Sequence, residues 1–240
     1  MHRIRDYSML DRIKAEIRKH SNPEKAKILS RFFKTGKGEY GEGDIFLGIS
    51  VPQSRCIAKK FSGLPFRDVK ALLKSKIHEE RLVALLILVH DYQSGSEKQK
   101  NDIFDFYLKN TKYINNWDLV DLSSEKIVGA FVFDKQKDIL YRLAKSENIW
   151  ERRISIVATF HFIKNNQFSD TLKIAELLLG DKHDLIQKAV GWMLREVGKR
   201  SLKTEEQFLE RHYRSMPRTA LRYAIERFPD GKKRSYMKKS

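Results

Sequence analysis

The sequence predicts an all-α protein made of stacked helix pairs, a HEAT-like helical-repeat solenoid (α-α superhelix) with a concave basic face. Three observations carry that expectation: helical periodicity recurs at near-constant spacing, no stretch alternates convincingly enough for a strand, and cations far outnumber anions. Four apolar segments open at Glu79 ("EERLVALLILVHDY"), Trp117 ("WDLVDLSSEKIVGAF"), Trp150 ("WERRISIVATFHFIK") and Ile186 ("IQKAVGWMLREVGK"), 38, 33 and 36 residues apart. This is the range of paired-helix repeats, where each pair buries its apolar face against its neighbours and the inner helices line a curved surface.

The remaining elements follow in order. Asn22-Pro23-Glu24 reads as a capped helix start with proline at the first helical position, and Ser50-Val51-Pro52 opens another helix. Shorter amphipathic helices, "KQKNDIFDFYLKN", "QKDILYRLAKS" and "SDTLKIAELLLG", separate the four inner ones. The Gly-rich "TGKGEYGEGDIFLGIS" follows no strand and lacks a Gly-Lys-Ser/Thr ending, so it reads as a long loop rather than a phosphate cradle. Residues 1–228 are expected to form one repeat domain, and 229–240, ending "PDGKKRSYMKKS", a disordered basic tail that adds nonspecific electrostatic affinity.

The chain of 240 residues is 41% apolar, enough to bury a core. Its 48 Lys and Arg against 31 Asp and Glu give a net charge of +17, which points to a polyanionic partner and first to nucleic acid. No apolar run approaches the roughly 18 residues of a membrane span, and "MHRIRDYSML" lacks the pattern of a signal peptide. With one cysteine, Cys56, an internal disulfide is excluded, and a soluble cytoplasmic monomer is expected. Cys56 has no evident catalytic partner and is expected to be a buried, inert thiol. The seven histidines show no metal-ligand spacing, so no metal is expected.

Candidate functional residues emerge from their faces. In "INNWDLVDLSS" Asn116 can cap a helix and Asp118 complements its dipole, both ordinary tasks. Asp121 is different: it shares a sector with Trp117 while Leu119, Val120, Ile127, Ala130 and Phe131 cover most of the helix circumference. Taken singly, Trp117 suits a core and Asp121 a salt bridge, for instance to Arg153. As a pair they also suit a reaction, because an indole face attracts a cation and a carboxylate stabilises positive charge developing on a sugar. One carboxylate suffices for glycosidic-bond rupture when the leaving base is already cationic and needs no proton. Trp192 lies off the stripe of Ile186, Val190, Met193, Leu194 and Val197, flanked by Lys188 and Arg195, which suits contact beside a phosphate backbone or packing on a neighbouring repeat. Arg152 faces solvent on this reading. Arg153 shares the edge of the core stripe with Val157 and Phe160, where it can pair with an acid or grip a phosphate. Arg55, Lys188 and Arg195 are further phosphate contacts by charge and placement.

At these residues the sequence resembles the AlkD-type family of DNA alkylation repair glycosylases. The resemblance rests on "NNWDLVD" at 115–121, "SENIWERR" at 146–153, "IQKAVGWMLRE" at 186–196 and "YGEGDIFLGI" at 40–49, in order and similarly spaced, and the tail after Phe228 lies outside it. It implies a catalytic aspartate at Asp121, DNA-facing tryptophans at Trp117 and Trp192, and an active-site arginine at Arg153. It further implies excision of cationic N3- and N7-alkylated purines from duplex DNA, in base excision repair, without extruding the base and with no cofactor. The competing expectation is a non-catalytic helical-repeat scaffold that binds nucleic acid or an acidic protein. An acid at position 121 favours the enzyme.

Overall fold

The computed structural model describes residues 8–238, which are helical throughout apart from loops and one isolated parallel bridge between Ile45 and Ile77. By internal contacts the chain divides into two compact units, residues 1–123 and 124–240. The first carries α1 (Met9–Lys19), α2 (Pro23–Phe32), α3 (Val51–Lys60), α4 (Phe66–Leu73), α5 (His78–Ser94), α6 (Glu97–Lys109) and most of α7 (Trp117–Ser124). The second opens with a π-helical turn, Glu125–Gly129, and continues through α8 (Ala130–Val132), α9 (Asp138–Ala144), α10 (Ile149–Ala158), α11 (Phe160–Lys164), α12 (Ser169–Leu178), α13 (Asp184–Gly198), α14 (Leu202–His212), α15 (Arg218–Ala224) and α16 (Asp230–Met237).

The expected starts are visible in the capping chemistry. Asn22 accepts from the Lys25 N–H ahead of α2, Gln53 accepts from both the backbone and hydroxyl of Ser50, and Asn148 accepts from the Trp150 N–H. The four inner segments become α5, α7 with the π turn, α10 with α11, and α13. In the first unit α5 is buried on every side from Leu82 to Val89, packed against α3, α4 and α6. In the second, α13 buries the expected stripe, Ile186, Val190, Met193, Leu194 and Val197, against α10, α12, α14 and α15.

Two local features depart from the expected pattern. The segment from Trp150 breaks at Thr159, whose hydroxyl donates back to the Ile156 carbonyl at 2.6 Å, an alternative to the helical ladder. The π turn after α7 adds a residue to one turn and so rotates the faces beyond it. Gly129 ends that turn against α10, where a Cβ would come within 2.1 Å of the Ala158 carbonyl oxygen. Gly129→Ala is expected to cost ~1–3 kcal/mol by overpacking, read as a lower melting temperature; an unchanged one would mean α10 shifts freely.

The basic end is a correction. Residues 230–237, expected to be disordered, form α16, which has specific contacts. Tyr236 packs edge-on against Tyr213 and Phe228 at 5.3 and 5.8 Å, Lys232 pairs with Glu206, and the Arg218 guanidinium donates to the Met237 carbonyl. The aromatic ring within a charged segment is what periodicity alone underweighted.

Candidate active site

In the first unit the site is built at the start of α7. The Asn116 side chain accepts from the Trp117 N–H at 2.8 Å, the first amide of α7 rather than the second or third that a capping residue bonds, and Asp118 accepts from Leu119 N–H at 2.8 Å. Trp117 is half-buried. Its indole stacks on Phe33 (5.0 Å, 19°), meets the edge of Phe32 (5.7 Å, 74°), and donates from Nε1 to the Tyr40 hydroxyl at 3.2 Å. Asp121, one turn on, is also half-buried. The phenol of the fully buried Tyr107 is pushed up first by burial and then by the charge of Asp121, against a lowering hydrogen bond from Ser123 (2.9 Å). Trp117 and Asp121 therefore share a partly open face, as the helical spacing predicted.

Asp118 does more than complement a dipole. Its Oδ2 accepts from His78 Nε2 at 2.7 Å, and His78 Nδ1 faces Asp44 Oδ2 at 3.4 Å. Arg81 in turn donates to Asp44 at 2.6 Å and to the Ser75 carbonyl at 2.9 Å. The sequence reading missed Tyr40, Asp44, His78 and Arg81. Two of them lie in the Gly-rich segment, where the composition signalled a loop and nothing signalled what the loop touches. Beside this network, Phe32, Phe33, Phe46, Leu82, His78 and Asp118 help line a cavity of about 390 Å³.

The second unit holds the other candidates. Arg153 is 5% exposed and donates to the Leu185 carbonyl, at 2.5 Å, at the start of α13. Arg152 is corrected: it is not a solvated residue but pairs with Asp181 at 2.7 Å and donates to the Ser146 and Glu147 carbonyls, each at 2.8 Å. Trp192 is half-buried beside Phe160 (5.8 Å, 54°) and donates from Nε1 to Glu196 at 3.2 Å, so it lies off the core stripe yet has a neighbour in α11.

The proposed phosphate contacts differ from one another. Arg55 is exposed on α3, whereas Lys188 pairs with Asp184 at 2.8 Å and Arg195 pairs with Glu226. Cys56 is exposed, not buried as expected, because it falls on the outer face of α3 opposite Ile57 and Ala58. Among the described residues no group of three His, Cys, Asp or Glu could hold a metal ion, and no helix is long and apolar enough to cross a membrane.

A helical-repeat fold bearing a tryptophan–aspartate pair at one helix start defines the class to which comparison can be made. Residues 13–228 match the family described as "DNA alkylation repair enzyme", and the chain belongs to that family. In fold it is similar to a predicted DNA alkylation repair enzyme from Enterococcus faecalis, with a TM-score of 0.70 and 19% identity over 88% of this chain and 98% of that one. It is also similar to AlkD2 from Streptococcus mutans, with a TM-score of 0.55 and 15% identity over 92% of this chain and 99% of that one. No curated protein matches.

Proposed function

We propose that this member of the family is a DNA glycosylase that hydrolyses the N-glycosidic bond of cationic N3- and N7-alkylated purines in duplex DNA, without base flipping, as a step of base excision repair. Residues 1–228 are taken as one repeat domain, acting as a monomer in the cytoplasm. The observation that carries the reading is the half-buried pair of Trp117 and Asp121 on one face of α7, in a chain whose family repairs alkylated DNA.

The chemistry follows from charge. N-alkylation leaves the purine cationic, so the leaving base needs no general acid, and positive charge passes to the sugar as the bond breaks. Asp121 stabilises that oxocarbenium-like sugar and helps position water, Trp117 and Trp192 contact the lesion and the adjacent backbone, and Arg153 fixes a phosphate. The test is release of free base from methylated duplex DNA by the purified protein. Tight duplex binding with no base released would leave a scaffold in place of an enzyme.

Phosphate contacts are checked by salt. Arg55→Ala is expected to flatten the slope of log affinity against log salt by about one unit, since one released counterion is lost. Lys188→Ala and Arg195→Ala should flatten it less, because Asp184 and Glu226 already share those charges. An unchanged slope removes the residue concerned from the DNA contacts.

A further inference from the structure

The chemistry assigned to Asp121 makes no use of the buried histidine in the same unit, yet two of its contacts, Asp118 and Phe33, adjoin Trp117. His78 opens α5 and is 2% exposed. From Nε2 it bonds Asp118, the residue after Trp117. From Nδ1 it faces Asp44, four residues beyond the Tyr40 whose hydroxyl accepts from the indole N–H. Its ring stacks on Phe46 (4.5 Å, 23°) and lies 5.2 Å from Phe33, which is the ring that covers one face of Trp117. The indole is thus held at its edge by Tyr40 and on one face by Phe33, and His78 touches Phe33 directly, as well as Asp118 next to Trp117 and the loop that carries Tyr40.

We propose that His78 is a positioning residue: by bonding Asp118 on one side and Asp44 on the other, it locks the Gly-rich loop against the first turn of α7 and fixes the plane of the Trp117 indole. The inference rests on the reading of Trp117 as a DNA-contacting residue. An ordinary satisfied core histidine would stabilise the fold without governing the indole, and the difference is measurable.

The charges around the ring set the conditions. Asp44 faces it from the loop, Asp118 from α7, and Arg81 and Glu79 from α5, while Lys25 of α2 lines the same cavity. Burial is the largest influence and opposes the imidazolium, but the charge and hydrogen bond of Asp118, then the hydrogen bond to Asp44, push His78 up to about 9. A group raised in the folded state stabilises fully below its unfolded value of about 6.5, and that contribution is lost as pH rises through about 9. Trp117 should therefore be held in one plane at neutral pH and released as pH rises through about 9.

The experiment labels the intact protein with 5-fluorotryptophan and follows the Trp117 fluorine resonance, assigned by its loss in Trp117→Phe, as pH rises. We expect it to titrate with a midpoint near 9, also in Tyr40→Phe, and to lose that titration in His78→Gln, while the Trp150 and Trp192 resonances stay in place. A flat Trp117 resonance in wild type overturns the proposal even if His78→Gln fails to fold. In single-turnover excision His78→Gln should be slower, by up to about 10²-fold for a misplaced contact, with a smaller loss of duplex affinity; an unchanged rate overturns the proposal. If wild type releases no base at all, the glycosylase reading fails, and the fluorine titration still decides the role of His78.

Discussion

Asp121→Asn is expected to slow base excision by about 10²–10³-fold, the scale for removing one preorganised electrostatic contact to a transition state, while duplex affinity stays within about twofold. Asparagine keeps the shape of the side chain, so α7 and the packing of Tyr107 and Ser123 beneath it are retained. On the proposed mechanism, what is lost is the negative charge opposite a sugar that becomes electron-deficient only as the bond breaks. On the same proposal, binding in the ground state is driven by cations against phosphates, and deleting an anion should not weaken it. The two readouts therefore separate. A parallel fall in affinity and rate would make Asp121 a binding or structural residue, and equal rates in both proteins would remove it from the chemistry. The same measurement on Trp117→Ala should lower both, since an indole that contacts the lesion serves binding as well as reaction.

The helical class and the four apolar helical segments were legible because a helical-repeat fold writes its architecture locally: each helix buries a stripe against a sequence neighbour, so the stripe on α13 could be read without knowing what covered it. Trp117 and Asp121 were legible for the same reason, being one turn apart on one helix. Contacts between distant segments left no such trace. Asp44 meets Arg81 across 37 residues, His78 meets Asp118 across 40, and Tyr40 meets Trp117 across 77. Within its own helix His78 is only the residue before a charged first turn, Glu79-Glu80-Arg81, that opens the apolar run, and Asp118 fully explains itself as a first-turn acid. The ion-paired Arg152 was misplaced because a helical wheel gives directions relative to one axis and is silent on which outward directions a neighbour covers, and the exposed Cys56 because the lack of a catalytic partner does not decide burial. The Gly-rich segment was read correctly as a loop but not as part of the site, since composition reveals freedom from regular structure and not destination.

Glu79→Ala is the substitution expected to cost the most stability. The loop between α2 and α3 has little regular structure of its own, and a loop that long needs an anchor. Glu79 supplies it from the first turn of α5. Its carboxylate is 1% exposed and accepts from Leu47 N–H at 3.0 Å, Gly48 N–H at 2.8 Å and Ile49 N–H at 3.2 Å. Gly48 is needed there, with φ at +83° and a Cβ that would come within 2.1 Å of the Asn22 carbonyl oxygen, so the backbone has no room to seek other acceptors. Alanine strands three backbone donors at ~1–3 kcal/mol each, less what water recovers, for a net loss of about 3–5 kcal/mol. At about 2–4 °C per kcal/mol for a chain of this size, calorimetry should show melting about 6–20 °C lower. Glutamine keeps one acceptor oxygen and should lose about half as much. Hydrogen exchange locates the effect: amides of Leu47, Gly48 and Ile49 should exchange faster than those of α13, which lies in the other unit. Because the loop carries Tyr40 and Asp44, excision should fall even where Glu79→Ala remains folded. A variant that melts with wild type and protects those three amides would show that α2 and α3 hold the loop by their own packing, and that the carboxylate is incidental to the seating of Trp117.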